Sequence, residues 1–242
     1  MSGELLIEAR GQIEIATLNR PARLNALSEA LVDELNDYFG GLAARPAVRV
    51  VILRGAGRGF CAGLDIQEDR SSDETPVLRT LRTQTSIGNI YRKMRACPQP
   101  IIALGHGAAA GGGLSLMLAA DVRYAAPGFR CNAAYIRIGL GGCDMASSYF
   151  LPRLVGASLA AEMILTGRFI DAERALSAGL VSEIVAEDEL LDRGLALAEE
   201  MLATSPWGLR LSKQALNLNI DAQSLDAAMA IEDRQQVILS AT

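Results

Sequence analysis

The stretch "GHGAAAGGGLSLMLAA", Gly105–Ala120, decides the fold prediction because three consecutive glycines open what reads as a short buried helix. Glycine weakens a helix interior by roughly 0.5–1 kcal/mol relative to alanine, so three of them require a reason other than helix stability. The segment before it, "IIALG" (Ile101–Gly105), reads as a buried strand, and "DVRYAA" (Asp121–Ala126) reads as the next strand. A strand, a glycine loop, a helix and a second strand in this order predict an α/β core with crossover connections.

The rest of the chain extends this pattern on both sides. A buried strand, "VRVVILRG" (Val48–Gly55), runs into a second glycine loop, "GAGRGFCAGLD" (Gly55–Asp65). The other predicted elements of the first part are a hairpin of Leu5–Ala9 and Gln12–Leu18, a helix after the N-cap Ser28 and a helix over Leu78–Met94. Those of the later part are helices that end at Pro152 and Gly167, a helix over Asp171–Gly179, a short strand over Val181–Val185, and helices over Glu187–Leu202, Pro206–Leu218 and Asp221–Leu239. We therefore predict one α/β core over residues 1–185 and a helical C-terminal region over residues 186–242.

Composition argues against several classes of function. The 242 residues carry a net charge of −5 with no basic block, so nucleic-acid binding is not expected. No apolar run reaches the ~18 residues that a membrane span needs, and the N-terminus does not have the pattern of a signal peptide. The four cysteines form no CxxC pair and His106 is the one histidine, which together predict reduced thiols, no metal site and a cytoplasmic protein.

The two glycine loops suggest how the chain binds a ligand. Gly112 and Gly113 begin a helix, where free N–H groups and the positive end of the helix dipole favour an anionic oxygen. The loop at Cys61–Leu64 can present another N–H group, and glycine lets a ligand approach the backbone closely. Two amides from separate loops that face one point make an oxyanion hole for a thioester carbonyl.

Five segments together resemble the enoyl-CoA hydratase/isomerase (crotonase) superfamily. They are "NRPARLNALS", "GRGFCAGLDIQE", "GHGAAAGGGLSLMLAADVRYA", "IGLGGCDMASSYFLPRLVG" and "ILTGRFIDAERALSAGLVSEIV", which cover nearly the whole chain in the family's order and spacing. The resemblance implies a spiral of ββα units, a helical region for trimerisation, and a homotrimer or a dimer of trimers. It also implies a CoA-thioester substrate and no metal or redox cofactor, and family members usually continue for a further helix beyond the position of Thr242.

The resemblance also assigns roles to individual residues. The oxyanion amides correspond to Leu64 and Gly112, so the glycines would serve to bring an amide to a carbonyl oxygen. Removing one such donor typically lowers the rate by ~10²–10³. The positions that correspond to the substrate and CoA site are Arg23, Leu24, Ala62, Gly63, Asp65, Ile66, Gly111 and Tyr135. Residues 66–77, which are polar and charged, and the helix after them would shape the acyl pocket.

The carboxylate pair of a family hydratase is missing. By the resemblance, Ser115 and Tyr135 correspond to the two glutamates of a family hydratase. Neither a serine nor a tyrosine hydroxyl can replace a glutamate base unaided. Asp144 lies where the dienoyl-CoA isomerase branch of the family has a catalytic aspartate, and it can shuttle a proton or position water. Alternatively, Asp144 only caps a helix that starts at Met145. Ser115 is expected to bond the carbonyl four residues back, and Tyr135 to pack near the pocket or donate to the substrate.

We therefore expect an acyl-CoA enzyme, most simply an enoyl-CoA hydratase of fatty-acid or related degradation. The alternatives are an enoyl- or dienoyl-CoA isomerase or a thioester hydrolase that uses Asp144 alone, and a catalytically weak protein that binds CoA esters. "GHGAAA" also fits a dinucleotide-binding fingerprint, which requires an acidic residue at the end of the next strand. Asp121, the nearest acidic residue, comes before that strand instead. "GLSLM" around Ser115 lacks the closing glycine of a serine-hydrolase nucleophile elbow, and His106 reads as a structural residue.

Overall fold

Short strands and helices alternate along the first part of the chain, and helices fill the rest. The structure is a computed structural model that describes residues 3–68 and 74–241. Within these ranges the strands are β1 (Leu5–Arg10), β2 (Ile13–Leu18), β3 (Val50–Gly55), β4 (Ile101–Gly105), β5 (Ala108–Ala110), β6 (Val122–Ala125), β7 (Arg130–Asn132), β8 (Ile170–Asp171) and β9 (Glu183–Ile184). The helices are α1 (Glu29–Gly41), α2 (Pro76–Ala96), α3 (Gly112–Ala119), α4 (Ser147–Val155), α5 (Ala157–Thr166), α6 (Ala172–Ser177), α7 (Leu190–Leu202), α8 (Pro206–Asn219) and α9 (Leu225–Ser240).

Two sheets form the frame of the fold. The larger sheet has the order β1-β2-β3-β4-β6-β9, in which β1 and β2 pair antiparallel and the other neighbours pair parallel. The smaller sheet has the order β5-β7-β8. The parallel pairs confirm the predicted α/β core with crossover connections. The smaller sheet is absent from the prediction because its strands are too short to show a period in the sequence.

Helices cover both faces of the larger sheet. Val51 and Leu53 of β3 point into the core that contains α1 and α2, whereas Val50 and Ile52 point to the opposite face, which α7 covers. Burial on both faces explains why β3 reads as a continuous apolar run in the sequence. Helix α7 therefore packs on the sheet, although it lies in the predicted C-terminal region; the division at residues 185 and 186 stays a prediction.

The glycines before α3 allow the two glycine loops to touch. Gly111 has a φ angle of +50°, a backbone region that residues with a side chain rarely adopt. Gly113 lies so close to the first loop that a Cβ atom built there would be 2.1 Å from the carbonyl oxygen of Cys61. The three glycines lower the helix propensity of this segment, but they allow two segments of backbone to approach closely.

Helix α4 differs from its prediction at both ends. It begins at Ser147, and it continues through Pro152 to Val155, so the prediction that it ends at Pro152 is wrong. Proline removes one backbone donor, and the carbonyl that would have accepted its bond belongs to Ser148, which is exposed to solvent. Water can therefore satisfy this carbonyl, and the helix tolerates the proline.

Three other helices begin at different residues from those predicted. Helix α2 begins two residues early because Pro76 suits a first turn and Thr75 caps it. Helices α7 and α9 begin late, and α9 starts after Ser224, whose side chain accepts a hydrogen bond from the Ala227 amide. The segment predicted to shape the acyl pocket, residues 66–77, includes residues 69–73, which lie outside the described part of the chain.

Helices α8 and α9 pack against each other and form one wall of a cleft. They carry exposed apolar side chains, including those of Leu225, Val237 and Leu216, the last of which lines the cleft. Among the described residues, no helix has the length and apolar character that crossing a membrane requires.

Candidate active site

Backbone hydrogen bonds hold the first glycine loop against β5. The Cys61 amide donates to the carbonyl oxygen of Ala108 at 3.1 Å, and the Cys61 carbonyl accepts from the Ala110 amide at 2.9 Å. The His106 Nε2 atom lies 2.9 Å from the carbonyl oxygen of Gly57, so this side chain also tethers the loop. These contacts fix the position of the residues that follow Cys61, and the bond of His106 to the loop agrees with the structural role expected of it.

Two backbone amides lie next to each other between the glycine loops. Leu27 bonds the Gly63 carbonyl at 2.7 Å and the Asp65 amide at 3.1 Å, so the Leu64 N–H between them points away from Leu27. Gly112 is the first residue of α3 and has no acceptor within its own helix. A Cβ atom built on Gly63 would lie 3.3 Å from the Gly112 nitrogen, which shows how close the two loops come. Neither the Leu64 nor the Gly112 amide donates to any residue that the structure describes.

The side chains of Ser115 and Tyr135 are bonded to each other. Their hydroxyl oxygens are 2.8 Å apart and either can be the donor, which corrects the expectation that Ser115 bonds back to its own helix. Both residues are buried. Burial chiefly, with a contribution from the charge of Asp144, raises the pKa of Tyr135 above its ordinary value, so the hydroxyl stays protonated.

The Asp144 carboxylate is half-buried in the loop before α4. Its Oδ1 atom accepts hydrogen bonds from the Gln84 side chain and, at 2.8 Å, from the Met145 amide; Oδ2 has no partner among the described residues. The N-cap of α4 is Ala146, so the interpretation of Asp144 as a cap for a helix starting at Met145 is wrong. Met145 and Ala146 have φ angles of +47° and +63°, a strained conformation that keeps Asp144 in the loop.

Most residues that the resemblance assigned to the CoA site form one patch, made by Arg23, Leu24, Ala62, Gly63 and Asp65. The Ala62 amide donates to the Leu24 carbonyl at 2.9 Å, and Arg23 Nη2 lies 2.7 Å from Asp65 Oδ1. The hydrogen bond from Arg23 chiefly, with one from Arg20, lowers the pKa of Asp65 to about 2. The Asp65 carboxylate is therefore paired with arginines of the protein itself, whereas the Ile66 side chain is exposed. The contact of this patch with CoA stays a prediction.

A cleft of about 1330 Å³ opens next to Asp144, between α2, α4, α8 and α9. Its lining includes Gln84, Tyr91 and Met145. The Tyr91 hydroxyl donates to the carbonyl oxygen of Gly112 at 3.1 Å, so this side chain connects the wall of the cleft to the residue that carries the second free amide. The arrangement can polarise a carbonyl at the two amides, move a proton at Asp144 and receive an acyl group. Over residues 3–68 and 74–241, no three His, Cys, Asp or Glu side chains are grouped to hold a metal ion.

Comparison with known proteins identifies the family. A family model described as enoyl-CoA hydratase/isomerase matches residues 8–241. The chain belongs to the enoyl-CoA hydratase/isomerase family. It is 40% identical over 235 residues to the "Probable enoyl-CoA hydratase echA12" of Mycobacterium leprae, a match that covers 96% of this chain and 80% of that protein. This member of the family is an acyl-CoA thioester enzyme, as the sequence predicts.

Solved structures of the family confirm the crotonase fold. The crystal structure of a probable enoyl-CoA hydratase/isomerase from Mycobacterium abscessus matches with a TM-score of 0.93 at 35% identity, covering 99% of this chain and 91% of that chain. A structure described as a monofunctional enoyl CoA isomerase from M. smegmatis matches with a TM-score of 0.80 at 38% identity, covering 94% of this chain and 99% of that one. Names of both hydratases and isomerases thus occur among the similar proteins.

Two residues beside this family's glycine loops were missed in the sequence. Gln84 bonds Asp144 and Tyr91 bonds Gly112, and both come from α2. They are seven residues apart and so share one face of the helix, which is the signal that could have paired them. The spacing alone could not have revealed what that face contacts, because the contacts come from distant parts of the chain.

Proposed function

We propose that this member of the family adds water across the double bond of 2-enoyl-CoA thioesters, with Asp144 as the carboxylate that moves the protons. The proposal depends on one arrangement: the amides of Leu64 and Gly112 have no acceptor among the described residues, and α2 bonds both Gly112, through Tyr91, and Asp144, through Gln84. Oδ2 of Asp144 is left unbonded. Its charge contributes to the raised pKa values of Tyr91 and Tyr135, whose main cause is burial, which supports this proximity.

The proposed reaction needs two hydrogen-bond donors and one base. The amides of Leu64 and Gly112 bind the thioester oxygen and draw electrons from the double bond. Oδ2 of Asp144 takes a proton from water as the water oxygen bonds to the third carbon, and the electrons of the double bond move to form an enolate. Asp144 then gives the proton to the second carbon, which restores the carbonyl and the carboxylate. The rest of the acyl group occupies the cleft beside Tyr91.

A double-bond isomerase is the second candidate, and the replacement of both family glutamates favours it. Moving a double bond requires one group that removes a proton from one carbon and returns it to another, without water. Asp144 can do this alone, whereas Ser115 and Tyr135 supply no second carboxylate to activate water. The amide pair would stabilise the same enolate in both reactions.

The setting of the reaction is part of the proposal. The chemistry uses no metal or redox cofactor, and the protein acts in the cytoplasm without nucleic acid or a membrane. It assembles as a homotrimer or a dimer of trimers, which the exposed apolar side chains of Leu216, Leu225 and Val237 on α8 and α9 support. Light scattering of the purified protein would test this, and a monomer would contradict it.

One set of assays separates the candidate reactions. Wild-type protein is incubated with 2-enoyl-CoA esters of short, medium and long chains, and the absorbance of the conjugated thioester is followed. We expect this absorbance to fall as 3-hydroxyacyl-CoA appears. A rise of the same absorbance from a 3-enoyl-CoA, with no hydration, would support the isomerase instead. Release of free CoA thiol would indicate a hydrolase, and binding without any turnover would indicate a CoA-ester binding protein.

A further inference from the structure

The bonded pair of Ser115 and Tyr135 has one more hydrogen than its mutual bond uses. Each hydroxyl carries one hydrogen, and the bond between the two oxygens, 2.8 Å apart, takes one of them. Neither hydroxyl has another partner among the described residues. Because buried donors in folded proteins are nearly always bonded, the second hydrogen is available to a group that enters the site.

Burial indicates which residue holds this second hydrogen. Ser115 has 0% of its surface exposed, so its hydrogen finds no acceptor other than the Tyr135 oxygen. Tyr135 is 5% exposed, so it is the member of the pair that keeps some accessible surface. The favoured arrangement is therefore that Ser115 donates to Tyr135 and that the Tyr135 O–H supplies the hydrogen left for an entering group.

The position of the pair indicates which part of an acyl group it would meet. Ser115 follows Gly112 by three residues on α3, which places it roughly 4.5 Å further along the helix and on the same side. The ring of Tyr135 packs at Gly111, where a Cβ atom would lie 3.5 Å from ring atom Cε1. If the thioester oxygen accepts a hydrogen bond from the Gly112 amide, the acyl carbons that follow the carbonyl would lie beside Ser115 and Tyr135.

We propose that the Tyr135 hydroxyl, oriented by Ser115, donates a hydrogen bond to an oxygen on the third carbon of the acyl group. This oxygen belongs to the incoming water before addition and to the 3-hydroxyl group afterwards. The inference deepens the proposed hydration and rests on it for the identity of this oxygen. Tyr135 transfers no proton in this account; it holds the oxygen, while Asp144 moves the protons.

Binding measurements test this, and each protein also carries Asp144→Asn so that the 3-hydroxy ligands are not dehydrated during the titration. The dissociation constants of butyryl-CoA and of both enantiomers of 3-hydroxybutyryl-CoA are measured by calorimetry, since these ligands differ only at the third carbon. We expect the better-bound hydroxy enantiomer to bind about 3–10-fold more tightly than butyryl-CoA, the range for one neutral hydrogen bond. In Tyr135→Phe this ratio should fall to about one while butyryl-CoA binds as before. In Ser115→Ala, where the donor remains but loses its orientation, the ratio should be intermediate.

Tyr124→Phe is the matched control, because Tyr124 is also buried but lies in the core on the α7 side of the sheet. It should leave the ratio at the wild-type value. No preference for the hydroxy ligand while Tyr135 is intact, or an unchanged preference in Tyr135→Phe, would overturn the inference. If Tyr135→Phe loses the preference but the wild-type protein hydrates no 2-enoyl-CoA, the hydrogen bond from Tyr135 is supported and the proposed reaction is contradicted.

Discussion

The ammonium group of Lys213 lies 2.9 Å from the carboxylate of Asp121 and is almost fully buried. It also donates to the carbonyl oxygens of Met94 at 3.0 Å and Gln99 at 2.8 Å. Lys213 belongs to α8 and the other three residues belong to the core, so this one side chain fastens the C-terminal helices to the core. The Asn217 side chain of α8 donates to the Arg95 carbonyl at 2.7 Å as a second attachment, and together these contacts hold the outer wall of the cleft beside Asp144.

Loss of Lys213 should weaken this wall. Lys213→Met leaves the Asp121 carboxylate with Arg95 as its remaining cation, and we expect the free energy of unfolding to fall by roughly 3 kcal/mol. Urea denaturation measures the loss. Adding Asp121→Asn to Lys213→Met should cost less than the sum of the two single variants, because the buried charge is then also removed. Strict additivity would show that the pair is not coupled.

Stability should depend on Asp65 at acidic pH. The folded state keeps this carboxyl ionised down to about pH 2, whereas an unfolded chain takes up the proton near the ordinary value of 3.8. The pKa is lowered on folding, so the stabilisation is present above about pH 4 and is lost as the pH falls towards 2. The full effect is roughly 2 kcal/mol. Denaturation of wild type and Asp65→Asn at several acidic pH values should show a flatter dependence in the variant; equal slopes would contradict the assignment.

The close approach of the two glycine loops should make Gly113 irreplaceable. An alanine Cβ there would lie 2.1 Å from the Cys61 carbonyl oxygen, so the loops must separate. We expect Gly113→Ala to lower the free energy of unfolding by at least roughly 1–3 kcal/mol and to reduce activity, since the amide of Gly112 moves with the loop. Gly128→Ala is the control, because nothing lies within 4 Å of a Cβ atom at that position. Similar melting temperatures for both variants would refute the packing argument.

Gln84 should act on the reaction through Asp144. Its side chain donates to Oδ1 and so orients Oδ2, the oxygen that receives the proton in the proposed hydration. Gln84→Met keeps the length of the side chain and removes the donor, and we expect kcat to fall about tenfold with KM unchanged. The exposed residue Gln223 provides a control of the same type in Gln223→Met. A parallel loss of stability and KM in Gln84→Met would point to a purely structural role.

Local patterns predicted the frame of the fold well. Ser28 caps α1 as expected, because its hydroxyl accepts a hydrogen bond from the Leu31 amide and needs only neighbouring residues to do so. The buried strands β3 and β4 were readable because both of their faces are apolar. The amides proposed for the oxyanion hole were suggested by glycines that disfavour a helix. The structure adds that the two glycine loops lie close together.

Contacts between distant residues decided what the patterns could not show. Met145 and Ala146 are ordinary helix formers, so a helix from Met145 was a natural prediction. The observed left-handed backbone instead leaves Asp144 free to bond Gln84, which is sixty residues away in the sequence. The bond between Ser115 and Tyr135 spans twenty residues and has no local signature either. Tertiary partners outweigh local preference at these positions, which are the ones proposed to set the chemistry.

The central claim is that Asp144 is the carboxylate that moves the protons. The most direct measurement is the rate of hydration of a 2-enoyl-CoA by Asp144→Asn under single-turnover conditions, beside its dissociation constant for the product. Asparagine has nearly the same shape and can still accept from Gln84, but it cannot take a proton. We predict a rate about 10²–10⁴-fold below wild type with product binding unchanged. A rate within a few-fold of wild type would contradict the claim and place the proton transfer at another group.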